Sequence, residues 1–209
     1  HAKDRRQRQM CIRDRATAMM DSVPIVCITG QVPRPAIGSD AFQEMDISGA
    51  VIPVTKHSYL VMDIKNLAQT IKEAFAIARS GRPGPVLIDI PKDVQAEEYD
   101  FIYPEEPVKL PGKNPLDKEI DKKSLGDAAD LIANAKRPVI LAGHGILLSG
   151  ASKEVIELSE KGDIPLSWTL LGSGAVPASH NLNMGMMGMH GEFAANNAIQ
   201  KADLLIACG

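Results

Sequence analysis

The chain has 209 residues, a hydrophobic fraction of 44% and a formal net charge of -3 at pH 7. These values are typical of a soluble globular protein of one or two domains, and they provide no general attraction to nucleic acid or to a membrane surface. No apolar run approaches the roughly 18 residues that a membrane span requires. Cys11, Cys27 and Cys208 have no metal-ligand spacing, and an odd count does not suggest a disulfide framework. We therefore expect a cytoplasmic protein that has no nucleic-acid or membrane partner.

The first 15 residues differ in character from the rest of the chain. They carry six Lys or Arg residues against two Asp, whereas the remainder is net acidic. A charge block of this kind is typical of a disordered or basic arm. A back-translation of Q-M-C-I-R-D-R at residues 9–15 resembles a transposase adapter used in DNA library preparation. One hypothesis is therefore that this arm is not native, and we assign it no function.

Residues 16–95 have the pattern of an α/β layer. A helix ends near Asp21, and an amphipathic helix over residues 63–80 has Asp63 as its cap. The continuous apolar run at residues 86–90 predicts a buried strand of a parallel sheet. Further predictions are strands at residues 23–29 and 50–54, a short helix or turn at residues 41–48 and a turn at residues 82–85.

Residues 96–123 hold four prolines and many charges without periodicity, which predicts an extended linker between domains. A second α/β pattern follows over residues 124–209. Its predicted helices cover residues 124–134, 149–161 and 190–200, and its predicted strands cover residues 138–142, 164–168 and 203–208. The first helix is expected to face inward with Leu125, Ala128, Ala129, Leu131 and Ile132. Because the sequence stops at a strand, we expect this domain to be truncated and the chain to be a fragment.

Motifs that carry chemistry on their own are scarce. The five histidines show no ligand spacing, and the sequence contains no nucleophile elbow, P-loop or C-x-x-C. Gly143-His144-Gly145 follows a predicted strand, but G-x-G is only the beginning of a dinucleotide fingerprint. The loop from Thr29 to Asp46 also follows a strand, and by itself it is typical of an ordinary surface loop.

Four longer segments, taken in order, resemble the catalytic subunit of the thiamine-diphosphate-dependent acetolactate synthases (acetohydroxyacid synthases). They are G-Q-V-P at residues 30–33 with I-G-S-D-A-F-Q-E-M-D-I at residues 37–47, K-H-S-Y-L-V at residues 56–61, G-R-P-G-P-V-L-I-D-I-P-K-D at residues 81–93, and G-M-M-G-M-H-G-E-F-A-A-N-N-A-I at residues 185–199. The resemblance covers residues 16–209. The arm at residues 1–15 has no counterpart in the family.

The resemblance implies a domain assignment and a set of site residues. Residues 16–95 would be the C-terminal part of the pyrimidine-binding domain, and residues 124–209 most of a Rossmann-like central domain of the FAD-binding type. Phe42, Gln43 and Lys92 would face the cofactor and the substrate. Pro33 and Ala41 would line the substrate channel. The FAD-binding residues would be Arg82, Gly143, His144, Gly145, Thr169, Leu170, Leu171, Met187, Gly188, Met189 and His190.

The resemblance also implies an activity for the parent protein. It would condense two pyruvates, or pyruvate and 2-oxobutyrate, with decarboxylation in branched-chain amino-acid synthesis, using thiamine diphosphate, Mg²⁺ and FAD. A homodimer or tetramer with interface active sites, and a regulatory small subunit, would be its partners. The family's catalytic glutamate and Mg²⁺-binding segment have no counterpart here, so we expect the fragment alone to be inactive. Two alternatives stay open: another 2-oxo-acid carboligase or decarboxylase, such as glyoxylate carboligase, and a non-catalytic nucleotide-binding module.

Overall fold

A computed structural model describes residues 12–110 and 120–209. The chain divides into two compact units at position 118, and each is described by itself. Of the predicted arm, residues 12–15 are described and are helical. Of the predicted linker, residues 96–110 have no regular secondary structure, residues 111–119 lie outside the described residues, and a helix has begun by Lys122.

The first unit is a three-stranded parallel sheet with helices. Its strands are β1 (Val26–Gln31), β2 (His57–Leu60) and β3 (Val86–Pro91), in the spatial order β1-β3-β2. Its helices are α1 (described over residues 12–20), α2 (Ile47–Val51), α3 (Leu67–Arg79) and α4 (Lys92–Gln95), with 3-10 turns at Arg34–Ala36, Ile52–Val54 and Ile64–Asn66.

The centre of this unit is β3, whose six residues are all buried. Its apolar run has no polar alternation because β1 and β2 flank it and because α3 packs on it through Ala74 and Ala78. Asp63 caps the 3-10 turn that leads into α3, where its carboxylate accepts from the backbone N–H of Lys65 at 2.9 Å. The predicted buried strand is confirmed. The predicted helix begins at Leu67 instead of at residue 63, and Asn66 is its N-cap, so Asp63 caps only the turn before it.

One predicted strand of this unit is wrong. Residues 50–54 belong to α2 and to the following 3-10 turn instead of to a strand. The Asp46 carboxylate accepts from the Gly49 N–H at 2.8 Å and so begins a helix at Ile47. Pro53 has no N–H to give to a sheet. The first strand also begins three residues later than predicted, at Val26.

The second unit is a four-stranded parallel sheet in the order β6-β5-β4-β7. Its strands are β4 (Pro138–Ala142), β5 (Leu166–Trp168), β6 (Asn183–Met186) and β7 (Leu204–Cys208). Its helices are α5 (Lys122–Asn134), α6 (His144–Ser149), α7 (Ser152–Gly162) and α8 (Phe193–Lys201), with a 3-10 turn at Leu170–Gly172. The predicted α/β fold class, with parallel sheets flanked by helices, is confirmed.

Three details of the second unit differ from expectation. The single helix predicted over residues 149–161 begins only at Ser152, because Gly150 ends α6 in a left-handed conformation with φ 71°. Strand β6 was not predicted, since Asn, Met and Gly are poor strand formers. On α5, Leu125 and Leu131 are exposed, and only Ile132 packs on the core.

Candidate functional site

The carboxyl ends of the three strands in the first unit carry five of the predicted site residues. Open parallel sheets bind ligands at this edge. Pro33, Ala41, Phe42 and Gln43 lie on the loop that follows β1, and Lys92 begins α4 directly after β3. The register pairs Gln31 with Pro91, so the loop and α4 leave the sheet at the same level.

A buried carboxyl group forms the base of this edge. Asp89 on β3 is 1% exposed, and it accepts hydrogen bonds from Thr29 Oγ1 at 2.7 Å and from Gln31 Nε2 at 2.9 Å. Burial raises the pKa of Asp89, and the two hydrogen bonds only partly oppose that shift. The Gln31 amide also donates to the carbonyl of Met45 at 2.8 Å. Gln31 therefore ties both ends of the loop to β3.

Arg34 holds the first half of the loop. Its guanidinium donates through Nε to Asp93 Oδ2 at 2.6 Å, through Nη1 to the Met62 carbonyl at 3.0 Å, and through Nη2 to Glu97. The Arg34 backbone N–H donates to the other oxygen of Asp93 at 3.0 Å. The Arg34 guanidinium lowers the pKa of Asp93, and the hydrogen bond to Asp93 raises the pKa of Arg34.

Glu44 holds the second half of the loop. Its carboxylate accepts from the backbone N–H groups of Gly38 and of Ala41, the latter at 3.0 Å, and these bonds lower the pKa of Glu44. In this half of the loop, Asp40 and Gln43 adopt positive φ angles of 54° and 67°. Such backbone is strained for residues other than glycine, and it occurs often at ligand sites. The neighbouring Phe42 is 82% exposed.

Arg82 lies away from this edge. It stands in the turn before β3, at the opposite end of the strand from Lys92. Its guanidinium donates to Ser22 Oγ at 2.8 Å and to the Met20 carbonyl at 2.8 Å, so it caps the C-terminal end of α1. The other predicted FAD-binding residues are in the second unit. The role of Arg82 toward FAD stays a prediction.

The carboxyl edge of the second sheet gathers those other residues. Gly143–Gly145 follow β4, Thr169–Leu171 follow β5, and Met187–His190 follow β6. Backbone hydrogen bonds join the three segments to their neighbouring strands: Gly143 N–H donates to Cys208 at 2.7 Å, Thr169 N–H to Ala142 at 3.1 Å and Met187 N–H to Trp168 at 2.9 Å. The three predicted segments therefore line one edge of one sheet.

Close backbone packing and exposed apolar side chains characterise this second edge. A Cβ on Gly143 would stand 2.1 Å from the Gly209 carbonyl oxygen, and one on Gly172 would stand 2.4 Å from that of Ala142. Leu170 is 72% exposed and Met189 is 91% exposed. The buried Nδ1 of His144 has no hydrogen-bond partner. Closely packed glycine backbone and exposed Leu and Met side chains together fit a flat, partly apolar ligand.

Comparison with known proteins shows what the chain is similar to. A family model described as "Thiamine pyrophosphate enzyme, central domain" matches residues 125–209. Residues 125–209 are therefore similar to that family. The "Acetolactate synthase" of Mycobacterium bovis is 49% identical over 194 residues, which are 93% of this chain and 31% of that protein. The "Acetolactate synthase isozyme 1 large subunit" of Escherichia coli is 47% identical over 93% of this chain and 34% of that protein. The predicted resemblance is confirmed.

Two further relatives agree with these. The "Acetolactate synthase large subunit" of Corynebacterium glutamicum is 47% identical over 93% of this chain and 31% of its own length. The "Probable acetolactate synthase large subunit" of Methanocaldococcus jannaschii is 48% identical over 93% of this chain and 33% of its own length. The chain thus spans about a third of the length of the curated relatives that it matches.

Sequence reasoning missed several residues that shape the two edges described above. Asp89, Arg34 and Asp93 are the main ones in the first unit. In the second, Asn196 on α8 exchanges two hydrogen bonds of 2.9 Å with the backbone of Gly188. An available signal was the opposite charge of Arg34 and Asp93, each of which directly follows a predicted site residue.

Two kinds of feature are absent from the described residues. Within residues 12–110 and 120–209, no group of three or more His, Cys, Asp or Glu side chains is arranged to hold a metal ion. In the same part of the chain, no helix has the length and apolar character to span a membrane.

Proposed function

We propose that this chain works as part of an acetolactate synthase large subunit, which joins two pyruvates, or pyruvate and 2-oxobutyrate, with loss of carbon dioxide. The observation that carries the proposal is the identity of 47–49% to such proteins over 93% of the chain. Relatives that match both units at this level support a common reaction more strongly than a shared fold would. The activity belongs to the longer protein of which this chain forms a part.

The carboxyl edge of the first unit is the proposed substrate side. Thiamine diphosphate, when bound, supplies an electron sink for decarboxylation, and the protein binds and orients the reactants around it. The exposed Phe42 and the strained Gln43 would contact cofactor and substrate. Lys92 would supply a positive charge for a 2-oxo-acid carboxylate. Pro33 and Ala41 would form the wall of the approach to that site.

The carboxyl edge of the second unit is the proposed FAD side. Leu170, Leu171, Met187 and Met189 offer apolar surface to a flat ring system, and Gly143–Gly145 and Gly188 allow its close approach. Thr169, His144 and His190 would supply polar contacts. For Arg82, pairing with a phosphate of FAD or stacking on one of its rings is proposed from the resemblance alone.

The remaining proposals concern the longer protein. Residues 16–95 would complete a pyrimidine-binding domain, residues 96–123 would link it to the central domain, and Mg²⁺ would bind outside this chain together with the diphosphate. A homodimer or tetramer with sites at its interfaces, a regulatory small subunit, a cytoplasmic location and a place in branched-chain amino-acid synthesis belong to the same proposal.

The test is an assay of the protein expressed from the complete gene. Thiamine diphosphate, Mg²⁺ and FAD are added, and acetolactate formed from pyruvate is measured. We expect activity that falls at least about tenfold in Q43A and in K92A, because both remove a group that faces the reactants. Replacement of the exposed Lys136 by Ala is the control, since it precedes β4 at the amino end of the second sheet.

Other outcomes would replace the proposal with an alternative. Carbon dioxide released from glyoxylate, without acetolactate from pyruvate, would indicate a glyoxylate carboligase. Binding of FAD or a nucleoside diphosphate without turnover and without thiamine diphosphate binding would indicate a nucleotide-binding module.

A further inference from the structure

We propose that Arg34 and Asp93 form a positioning clamp that fixes the loop carrying Pro33, Phe42 and Gln43 against the segment carrying Lys92. The inference rests on the proposed function for its effect on catalysis, but the clamp itself rests on geometry. Neither residue is proposed to touch the substrate. Each acts through the residue beside it in the chain.

The first argument is the position of the clamp. Pro33 precedes Arg34 and Lys92 precedes Asp93, so one ion pair joins the sequence neighbours of two proposed site residues. Because β1 and β3 pair in parallel with Gln31 opposite Pro91, these neighbours leave the sheet side by side. The clamp therefore sets the separation of the two walls of the proposed substrate site.

The second argument is the number of segments that Arg34 joins. Its side chain and backbone N–H together reach the segments that follow all three strands: its own loop after β1, the Met62 carbonyl after β2, and Asp93 and Glu97 after β3. Asp93 receives both the Nε–H and the backbone N–H, one on each oxygen. A planar guanidinium can donate to these three acceptors at once from Nε, Nη1 and Nη2, whereas a lysine ammonium on a flexible stem cannot.

The third argument is what the clamp stabilises. The loop holds Gln43 at φ 67° and Asp40 at φ 54°, which are unfavourable backbone conformations for these residues. Strained backbone persists only when surrounding contacts fix it. Glu44 fixes the second half of the loop and Gln31 fixes its base, but neither of them contacts the segment at residues 92–97 through a hydrogen bond. The Arg34 clamp provides that link.

The first test uses hydrogen–deuterium exchange of this 209-residue chain. In R34K we expect the amides of residues 35–45 to exchange at least about tenfold faster, since the loop loses its tie to residues 92–97. D93N should also speed the exchange of residues 35–45, because it removes the negative charge that pairs with Arg34 and leaves the shape of the side chain unchanged. The double variant should exchange no faster than R34K, because R34K already removes the ion pair with Asp93 together with the bonds to Met62 and Glu97. R79K is the matched control, since exposed Arg79 at the end of α3 has no ion pair with a described residue.

The second test separates positioning from general destabilisation. In the protein expressed from the complete gene, R34K and D93N should raise the KM for pyruvate or lower kcat by about tenfold or more, while the half-saturating concentration of thiamine diphosphate changes by less than about twofold. Exchange in R34K and D93N equal to that in R79K would overturn the clamp. If wild-type protein forms no acetolactate, the proposed function fails, and the exchange experiment still decides the clamp.

Discussion

Asp89 makes the stability of the first unit depend on pH. Its folded-state pKa is raised by burial, whereas the unfolded chain has an ordinary Asp. The folded protein therefore binds this proton more tightly. The contribution of Asp89 to the free energy of unfolding is most favourable below the unfolded pKa, and it decreases as the pH rises through the raised folded pKa.

We expect this pH dependence of the free energy of unfolding to appear when wild type is compared with D89N. Other acids, such as Asp93 and Glu44, have lowered pKa values and destabilise the fold as the pH falls. Subtracting the variant removes their contribution. The stability advantage of wild type over D89N, measured by urea unfolding, should grow as the pH is lowered from 7 to 4. A constant difference would show that Asp89 has an ordinary pKa.

Arg15 is a buried charged residue on α1. It is 1% exposed, and its buried Nε and Nη1 have no hydrogen-bond partner among the described residues. Burying a guanidinium in this way costs several kcal/mol unless it is paired. We expect R15L to raise the free energy of unfolding by about 1–4 kcal/mol. The exposed Arg13 on the same helix gives the control R13L, which should change stability little.

The result of R15L bears on the origin of the arm. A polar, charged residue that fits its buried position poorly is expected if residues 9–15 did not evolve with this fold. A loss of stability in R15L, beyond that of R13L, would show that Arg15 is a proper part of the core and would contradict the hypothesis of a foreign arm.

At the scale of elements, α2 depends on one side chain. Five residues are too few for a helix to be stable by propensity, so the N-cap bond from Gly49 N–H to Asp46 has a large share in its stability. We expect D46A to destabilise the unit by about 1 kcal/mol and D46N to retain most of the stability, since Asn also caps well. Thermal unfolding of both variants checks this. Equal losses in D46A and D46N would mean that the charge matters and the cap does not.

The same element shows why part of the fold could be predicted and part could not. The sequence predicts β3 because a strand that is buried on both faces is a continuous apolar run. It predicts α3 because a helix that is buried on one face has apolar residues at spacings of three and four. The apolar and β-branched residues at 50–54 favour a strand, but the Asp46 cap and Pro53 favour a helical turn. The sequence does not predict the roles of Arg34, Asp93 and Asp89. Their partners lie about 60 residues away in the chain, and residue spacing within one segment does not reveal such contacts.

At the scale of the whole molecule, the two units have separate cores. One core centres on Val86, Ile88 and Val94, and the other on Ile140, Ile164 and Leu166; every buried residue of each cluster comes from a single unit. We therefore expect a cavity in one core to destabilise that unit only. L166A should lower the stability of the second unit by about 2–5 kcal/mol, because its side chain is fully buried.

Hydrogen exchange resolved by segment measures this prediction. In L166A, the amides of β4 and β5 should exchange faster while those of β3 keep their wild-type rates; I88A should give the reverse pattern. The pair of variants serves as its own control, since both remove a buried aliphatic side chain from a central strand. Loss of protection in both units from either substitution would show that they unfold as one cooperative structure, and each sheet would then owe part of its stability to the other.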